Sequence, residues 1–150
     1  MSFIDPKIVQ KPWGSEQWLA DGVRTPYALK KIFFKEGNRS SLQVHQYKHE
    51  TNYVLDGTGI LLLREKLFDV KSYLNSPEKS IFTTEINDGL LEILIKPGDV
   101  IDVKPGQIHR VIALTDLVFI EASSIELDDV IRLNDDTGRS HGKINSEHEG

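Results

Sequence analysis

Two histidines, one glutamate and one glutamine are spaced in this chain in a way that could build a metal site. Gln43 and His45 are two residues apart, so in a β-strand their side chains would point to the same face. Glu50 can arrive from the next strand or turn, and His109 comes from a distant segment that begins at Gly98. Two nitrogens and two oxygens that converge inside a small barrel make a reasonable site for a divalent ion.

Each of these residues also has a purely structural interpretation. A single histidine on a strand is more often a hydrogen-bonded packing residue than a ligand, and a lone glutamate is usually on the surface. It is the spacing of the whole set that favours a metal site. The chain contains no cysteine, which excludes disulfides, thiolate metal sites and a cysteine nucleophile.

Length and charge narrow the class of protein. A chain of 150 residues is long enough for one hydrophobic core and short for two, so a single domain is expected. The formal charge of −5 argues against a nucleic-acid partner, because phosphate binding needs a basic face. Neither an apolar run of membrane-spanning length nor a secretory signal is present. We therefore expect a cytoplasmic protein with no membrane partner.

Short apolar segments separated by glycine and proline turns are typical of an antiparallel β-barrel or sandwich. The turns are placed at 36–38, 55–59, 96–99 and 104–106, where glycine or proline supplies the backbone angles. About eight strands are predicted, at residues 27–34, 41–45, 52–55, 59–64, 90–95, 100–103, 110–113 and 117–123.

Two segments fall outside this pattern. Residues 65–89 are polar and mixed, and we predict a long excursion between two strands, of the kind that is usually functional or mobile. Residues 140–150 have little apolar content and are predicted to form a flexible polar tail. The remaining domain spans residues 1–139.

The spacing of the candidate ligands resembles the motifs of the cupin superfamily. The first cupin motif is Gly, five residues, His-x-His, three or four residues, Glu, six residues, Gly. This chain has Gly37, five residues, Gln43-Val44-His45, four residues, Glu50, six residues and Gly57. Only the first histidine differs.

The second cupin motif is matched less completely, by Gly98 and His109, with its proline shifted by one and its asparagine replaced by Ala113. The resemblance implies an all-β, single-domain cupin. Such a domain is a double-stranded β-helix, or jelly-roll barrel, here with short helical or irregular ends.

A narrower resemblance covers roughly residues 11–139. It is to the cupin domain of bacterial type II mannose-6-phosphate isomerases, also found at the C-terminus of bifunctional isomerase and mannose-1-phosphate guanylyltransferase enzymes. That family uses Gln-x-His in its first motif, which accounts for Gln43. The departures are Tyr47, Thr51-Asn52, Thr137 and the length of the excursion at residues 65–89. The matching segments are 11–14, 30–32, 41–45, 106–110, 128–132, 135–136 and 138–139.

The narrower resemblance implies a metal, most simply zinc, on Gln43, His45, Glu50 and His109, with manganese, cobalt, nickel or iron as alternatives. By the same resemblance Arg132 is a candidate catalytic cation, although it could instead pair with Asp128 or Asp129. Further site residues are expected at the catalytic position Lys30 and at the substrate-binding positions Tyr47, Lys48, Arg110 and Ser41.

Several of these positions keep a structural alternative. Lys48 and Arg110 could be solvated surface charges, and Lys30 could face outward like Lys31. Trp13 could stack on a sugar, but core packing is the commoner use of a buried tryptophan. The general base is not identified; His49 and Lys48 are weak candidates.

Three functions are compatible with these residues. The first is a metal-dependent isomerase that interconverts mannose-6-phosphate and fructose-6-phosphate, or a related aldose–ketose pair, through an enediolate. The second is a non-catalytic metal- and carbohydrate-binding cupin, which the altered Thr51-Asn52 and Thr137 positions favour. The third is an iron-dependent oxygenase, against which Gln43 counts. The expected partner is a sugar or sugar phosphate, and cupins often pair through exposed strands, so a homodimer is expected.

Overall fold

Two six-stranded antiparallel sheets make up the fold in the computed structural model, which describes residues 3–134 and 142–143. The strands are β1 Lys7–Lys11, β2 Gly14–Asp21, β3 Ala28–Phe34, β4 Leu42–Val44, β5 Glu50–Asp56, β6 Gly59–Arg64, β7 Leu90–Ile95, β8 Val100–Val103, β9 His109–Ala113, β10 Leu117–Ser123, β11 Ile131–Asn134 and β12 Gly142–Lys143. The first sheet has the order β1-β2-β3-β10-β5-β8, and the second has the order β12-β11-β4-β9-β6-β7.

Alternation along each strand decides which side chains lie between the sheets. In β3, Ala28, Lys30, Ile32 and Phe34 are buried and Lys31 is exposed, as a period of two requires. Apolar side chains from both sheets then form one inter-sheet core, and Trp13 stacks on Phe34 with ring centroids 4.0 Å apart. The core residues are Trp13, Ile32, Phe34, Val54, Leu61, Ile95, Ala113, Leu117 and Phe119.

The predicted all-β fold is confirmed, and each of the eight predicted strands is present within a few residues of its expected bounds. The strands β1, β2, β11 and β12 were not predicted. In β2 the reason is composition: Gly14–Asp21 carries more polar than apolar side chains, yet Glu16, Trp18 and Ala20 are buried. A buried glutamate conceals the usual apolar alternation.

Residues 65–89 connect β6 to β7 and contain helix α1 Val70–Asn75, a 3₁₀ turn at Lys79–Phe82 and helix α2 Thr83–Asn87. Arg64 ties both ends of this connection to the barrel, because its Nε donates to the Asp88 carbonyl at 3.2 Å and its Nη1 donates to the Lys66 carbonyl at 3.2 Å. The connection packs a second apolar core against the outer face of the second sheet, made of Leu42, Val44, Phe68, Val70, Tyr73, Ile86, Ile108, Ile131 and Leu133.

Only part of the predicted tail can be placed. Gly142–Lys143 pair with β11 as the edge of the second sheet. The other residues of 140–150, together with Thr137-Gly138-Arg139, lie outside the described residues. Among the described helices, none has the length and apolar content needed to cross a membrane.

Candidate metal centre

The four predicted metal ligands come from strands of both sheets and from one loop. Gln43 lies on β4, His45 follows the end of β4, Glu50 begins β5 and His109 begins β9. All four line a single cavity between the sheets. Its volume is about 80 Å³, which is room for a few water molecules. The structure therefore brings together residues that are up to 66 positions apart in the sequence.

The three ionisable members of this set face one another at short range. Glu50 Oε1 is 3.1 Å from His45 Nε2 and 3.3 Å from His109 Nε2. One ligand atom from each residue lies within 4.8 Å of the others, and all three side chains are buried. This is a compact set of two nitrogens and one oxygen around a common point.

Hydrogen bonds behind the two imidazoles fix which ring nitrogen carries the proton. His45 Nδ1 is 2.6 Å from the Asp129 carbonyl oxygen, and His109 Nδ1 is 2.9 Å from the Gln107 carbonyl oxygen. A carbonyl only accepts, so each Nδ1 must donate, and a neutral ring then presents a lone pair at Nε2. Both lone pairs point toward the Glu50 carboxylate, which is also an acceptor. Such a convergence of acceptors fits a cation, and a carbonyl behind each ring is the usual support of a metal-binding histidine.

Burial and neighbouring charges set the protonation of this cluster. Burial lowers the pKa of His45 and outweighs the nearby Glu50 carboxylate, which acts in the opposite direction. Burial alone would raise the pKa of Glu50, but the Lys48 charge and the contacts with both imidazoles hold it well below its usual value. The cluster therefore offers a neutral His45 and an ionised Glu50, which are the protonation states that metal ligands need.

A second carboxyl group, Glu121, lies in the same cavity and was not among the predicted site residues. Burial and the neighbouring Glu50 charge raise its pKa to about 8, against the opposing effect of Lys48. One feature of the sequence could have identified Glu121. Leu117, Phe119 and Glu121 are at alternate positions of β10 and share its inward face, so the carboxyl group continues a row of core residues.

Lys48 is the one predicted substrate-binding residue that the described part of the chain places in the cavity lining. Its Nζ is 3.0 Å from Glu121 Oε1 and 4.0 Å from Glu50 Oε2. The surface-charge alternative for Lys48 is thereby excluded, since its side chain is only 3% exposed.

The other predicted substrate-binding residues do not line this cavity. Tyr47 is 64% exposed. Arg110 is buried, and its Nε donates to the Ser40 carbonyl at 2.9 Å. Ser41 is buried, while its neighbour Ser40 reaches the cavity. Arg110 follows His109 on β9 and so points to the opposite face of the sheet.

The two predicted catalytic cations are not part of the cavity lining, although each lies opposite a residue that is. Arg132 is buried and lies opposite Gln43 in the register of β11 and β4. Lys30 is buried opposite Glu121, with its Nζ 3.4 Å from Glu16 Oε1 and 4.3 Å from the centre of the Trp18 ring.

Two alternatives left open by the sequence are now decided. Trp13 packs in the core on Phe34, which was the commoner of its two interpretations, and it also lines the cavity. His49, one candidate for the general base, is half exposed, with its Nε2 2.8 Å from Asp102 Oδ1. It lies outside the cavity lining.

Two antiparallel sheets form the jelly-roll fold that the resemblance to cupins implied, and this fold is confirmed. The His–Glu–His cluster lies on its inner side. No protein-family model matches the chain. Its fold is similar to that of the capsular polysaccharide assembling protein CapF from Staphylococcus aureus, with a TM-score of 0.63, 19% identity and coverage of 89% of this chain and 33% of that one. It is also similar to Bacillus subtilis oxalate decarboxylase, a protein with Mn(II) centres, with a TM-score of 0.61, 19% identity and coverage of 85% of this chain and 30% of that one.

Sequence similarity relates the chain to part of one larger enzyme. The chain is 30% identical over 106 residues, or 69% of its length, to mannose-1-phosphate guanylyltransferase 2 of Escherichia coli O157:H7. It spans only 20% of that enzyme. The chain thus resembles a part of this larger protein.

Proposed function

We propose that this cupin is a metal-dependent sugar-phosphate isomerase that interconverts mannose-6-phosphate and fructose-6-phosphate, or a related aldose–ketose pair. The observation that carries the proposal is the shared cavity, in which His45, Glu50 and His109 converge beside a second carboxyl group, Glu121. The similarity to a mannose-1-phosphate enzyme supports a sugar phosphate as the substrate.

Gln43, His45, Glu50 and His109 would hold the metal ion, and we propose zinc, with manganese as the first alternative because a fold neighbour has Mn(II) centres. When bound, such an ion supplies Lewis-acid stabilisation of the developing oxyanion, worth on the order of several kcal/mol. The neutral carboxamide of Gln43 leaves Glu50 as the single carboxylate of the set, which keeps the site net positive.

The protein must also move protons. Conversion of the aldose to the ketose removes the proton from C2, delivers a proton to C1 and shifts the hydroxyl proton from O2 to O1, with no net oxidation. We assign the transfer of the proton between C2 and C1 to Glu121, because it is a buried carboxyl group that lines the cavity together with the proposed ligands. Lys48, 3.0 Å away, would stabilise the carboxylate form of Glu121.

Arg132 and Lys30 take a different role in this proposal from the catalytic one expected from the sequence. Neither lines the cavity, so each would act through a neighbour across the strand pair. Lys30 lies opposite Glu121, and Arg132 lies opposite Gln43. They would hold these two inward-facing side chains in place.

A non-catalytic metal- and carbohydrate-binding cupin is the second candidate. The positions of Tyr47, Arg110 and Ser41 outside the cavity lining favour it.

A coupled assay for fructose-6-phosphate formed from mannose-6-phosphate separates the two candidates. The protein would be stripped of metal, reloaded with Zn²⁺ or Mn²⁺ and compared with His109→Ala and His49→Ala. His49 is the matched control, because it is a histidine with a carboxylate partner outside the cavity. Metal-dependent turnover that His109→Ala abolishes and His49→Ala retains supports the isomerase. Metal binding without turnover contradicts it for this substrate and favours the binding protein.

A further inference from the structure

The loop of residues 45–49 supplies much of the metal centre without being part of a strand. It carries His45 and Lys48 and leads directly into Glu50, the first residue of β5. Side chains on loops are held less precisely than side chains on strands unless other contacts fix the backbone. The geometry of the centre therefore depends on whatever anchors this loop.

One carboxylate, that of Asp129, anchors the loop. Its Oδ1 accepts the backbone N–H of Gln46 at 3.0 Å. Its Oδ2 accepts the backbone N–H of Lys48 at 2.9 Å, and it also accepts that of Tyr47. Asp129 is only 8% exposed, so these hydrogen bonds to a charged group are sheltered from water and stronger than neutral ones.

The same residue also orients a metal-binding ring. The main-chain carbonyl of Asp129 accepts the Nδ1–H of His45 at 2.6 Å. Asp129 thus contacts four consecutive residues, 45–48, through its side chain and its backbone together. Moving the carboxylate would shift both the loop backbone and the carbonyl that fixes the His45 tautomer.

The orientation of the His45 ring depends on a distant residue, whereas that of the His109 ring does not. The Nδ1–H of His109 donates to the carbonyl of Gln107, two residues earlier in its own segment. The Nδ1–H of His45 donates to a residue 84 positions away, on the connection between β10 and β11. That connection meets the loop again where Ser124 Oγ accepts the N–H of His49 at 3.0 Å and Ser124 N–H donates to the His49 carbonyl at 3.0 Å.

We propose that Asp129 is the positioning residue of the metal centre, which fixes His45 in the tautomer that presents Nε2 and thereby sets the affinity for the ion. The inference rests on the proposed metal site but not on the isomerase reaction. The sequence had suggested only that Asp128 or Asp129 pairs with Arg132. The proposal gives Asp129 a separate role.

The test compares Asp129→Asn with Asp116→Asn in the full chain. Asp116 is the matched control: its Oδ1 accepts the N–H of Glu36 at 2.8 Å across 80 residues, so it is also a carboxylate that anchors a distant loop. Affinity for Zn²⁺ and for Mn²⁺ is measured by titration calorimetry on metal-free protein. We expect Asp129→Asn to weaken binding by about 10–100-fold, as loss of an outer-shell partner does, and Asp116→Asn to change it by less than about twofold.

A second measurement needs no variant and so decides the question even if Asp129→Asn fails to fold. Nitrogen-15 NMR of the imidazoles in the metal-free wild type reports the tautomer of His45. A proton on Nδ1 supports the proposal, and a proton on Nε2 overturns it. In a folded Asp129→Asn protein, we expect the Nε2-protonated form of His45 to increase while the His109 tautomer stays unchanged.

The outcomes separate this inference from the metal site on which it rests. If the wild type binds neither ion, the metal site itself is wrong and the role of Asp129 falls with it. If the wild type binds and Asp129→Asn binds equally well with an unchanged His45 tautomer, the metal site stands and the positioning role is overturned. A lower unfolding temperature alone would show that Asp129 is only a loop anchor.

Discussion

Gln43 lies directly opposite His109 in the antiparallel register of β4 and β9. Side chains opposite each other on one face of a strand pair have Cβ atoms about 4.5–5.5 Å apart, so the carboxamide and the imidazole reach the same part of the cavity. The resemblance to the isomerase family implied that Gln43 replaces a histidine ligand, and this register gives it a ligand's position.

Gln43→Ala should weaken metal binding without unfolding the protein. Loss of an outer-shell partner already costs about 10–100-fold in affinity, and loss of a ligand should cost no less. Titration calorimetry with Zn²⁺ measures the change, and Gln10→Ala is the control, because Gln10 is an exposed glutamine on β1. Equal affinity in Gln43→Ala and wild type would exclude Gln43 from the ligand set.

Glu121→Gln should abolish proton transfer while leaving metal binding largely intact. Glutamine has the shape of a protonated carboxyl group but cannot carry the substrate proton, and general acid–base groups contribute about 10²–10⁴-fold to turnover. The measurements are kcat/KM and incorporation of solvent deuterium at C1 of the product. Glu92→Gln, a change at an exposed position of β7, is the control. If Glu121→Gln incorporates deuterium as fast as the wild type, another group transfers the proton between the two carbons.

The sequence was informative where local composition and spacing carry the signal. Short segments rich in apolar residues predicted β3 and β10, and the Gln-x-His spacing predicted that Gln43 and His45 face the same side. Glu121 was missed because a glutamate on a strand is normally a surface residue. Its burial depends on a partner, Lys48, which lies 73 positions earlier in the sequence. Pairing of this kind is a property of the fold and leaves no local pattern.

Residues 65–89 show a similar limit. The apolar side chains of this segment occur singly or in pairs among polar ones, and the segment was predicted only as a polar, mixed excursion. The structure nevertheless gathers Phe68, Val70, Tyr73 and Ile86 on the outer face of the second sheet. The face they cover is the reverse side of β4, whose inward face carries Gln43.

Phe68→Ala should therefore destabilise the protein as a core substitution does. Phe68 is 4% exposed, and the centroid of its ring lies 5.7 Å from that of Tyr73 and 5.9 Å from that of Phe82. We expect a loss of about 3–5 kcal/mol in the free energy of unfolding, measured by urea denaturation. Ile81→Ala, in the same segment but 68% exposed, should change it by less than about 0.5 kcal/mol. Similar small effects for both would mean that the segment does not stabilise the barrel.

Two glycines of the cupin-like pattern should differ in their tolerance of a side chain. Gly57 has φ of 84° and Gly98 has φ of 93°, so alanine at either position would be strained by about 1–2 kcal/mol. A Cβ at Gly57 would lie 1.9 Å from the Asp116 carbonyl oxygen, whereas a Cβ at Gly98 would meet nothing within 4 Å. The backbone must therefore move to accommodate alanine at position 57, whereas alanine at position 98 requires no movement of a neighbouring atom.

We therefore expect Gly98→Ala to lower the free energy of unfolding by about 1–2 kcal/mol and Gly57→Ala to lower it by clearly more. Urea denaturation of both variants under one set of conditions gives the comparison. The two φ values are similar, so any difference between the variants reports the close approach of Gly57 to Asp116 rather than backbone strain. Equal losses would show that the chain between β5 and β6 can move away from Asp116, and that the glycine in this position serves only its backbone conformation.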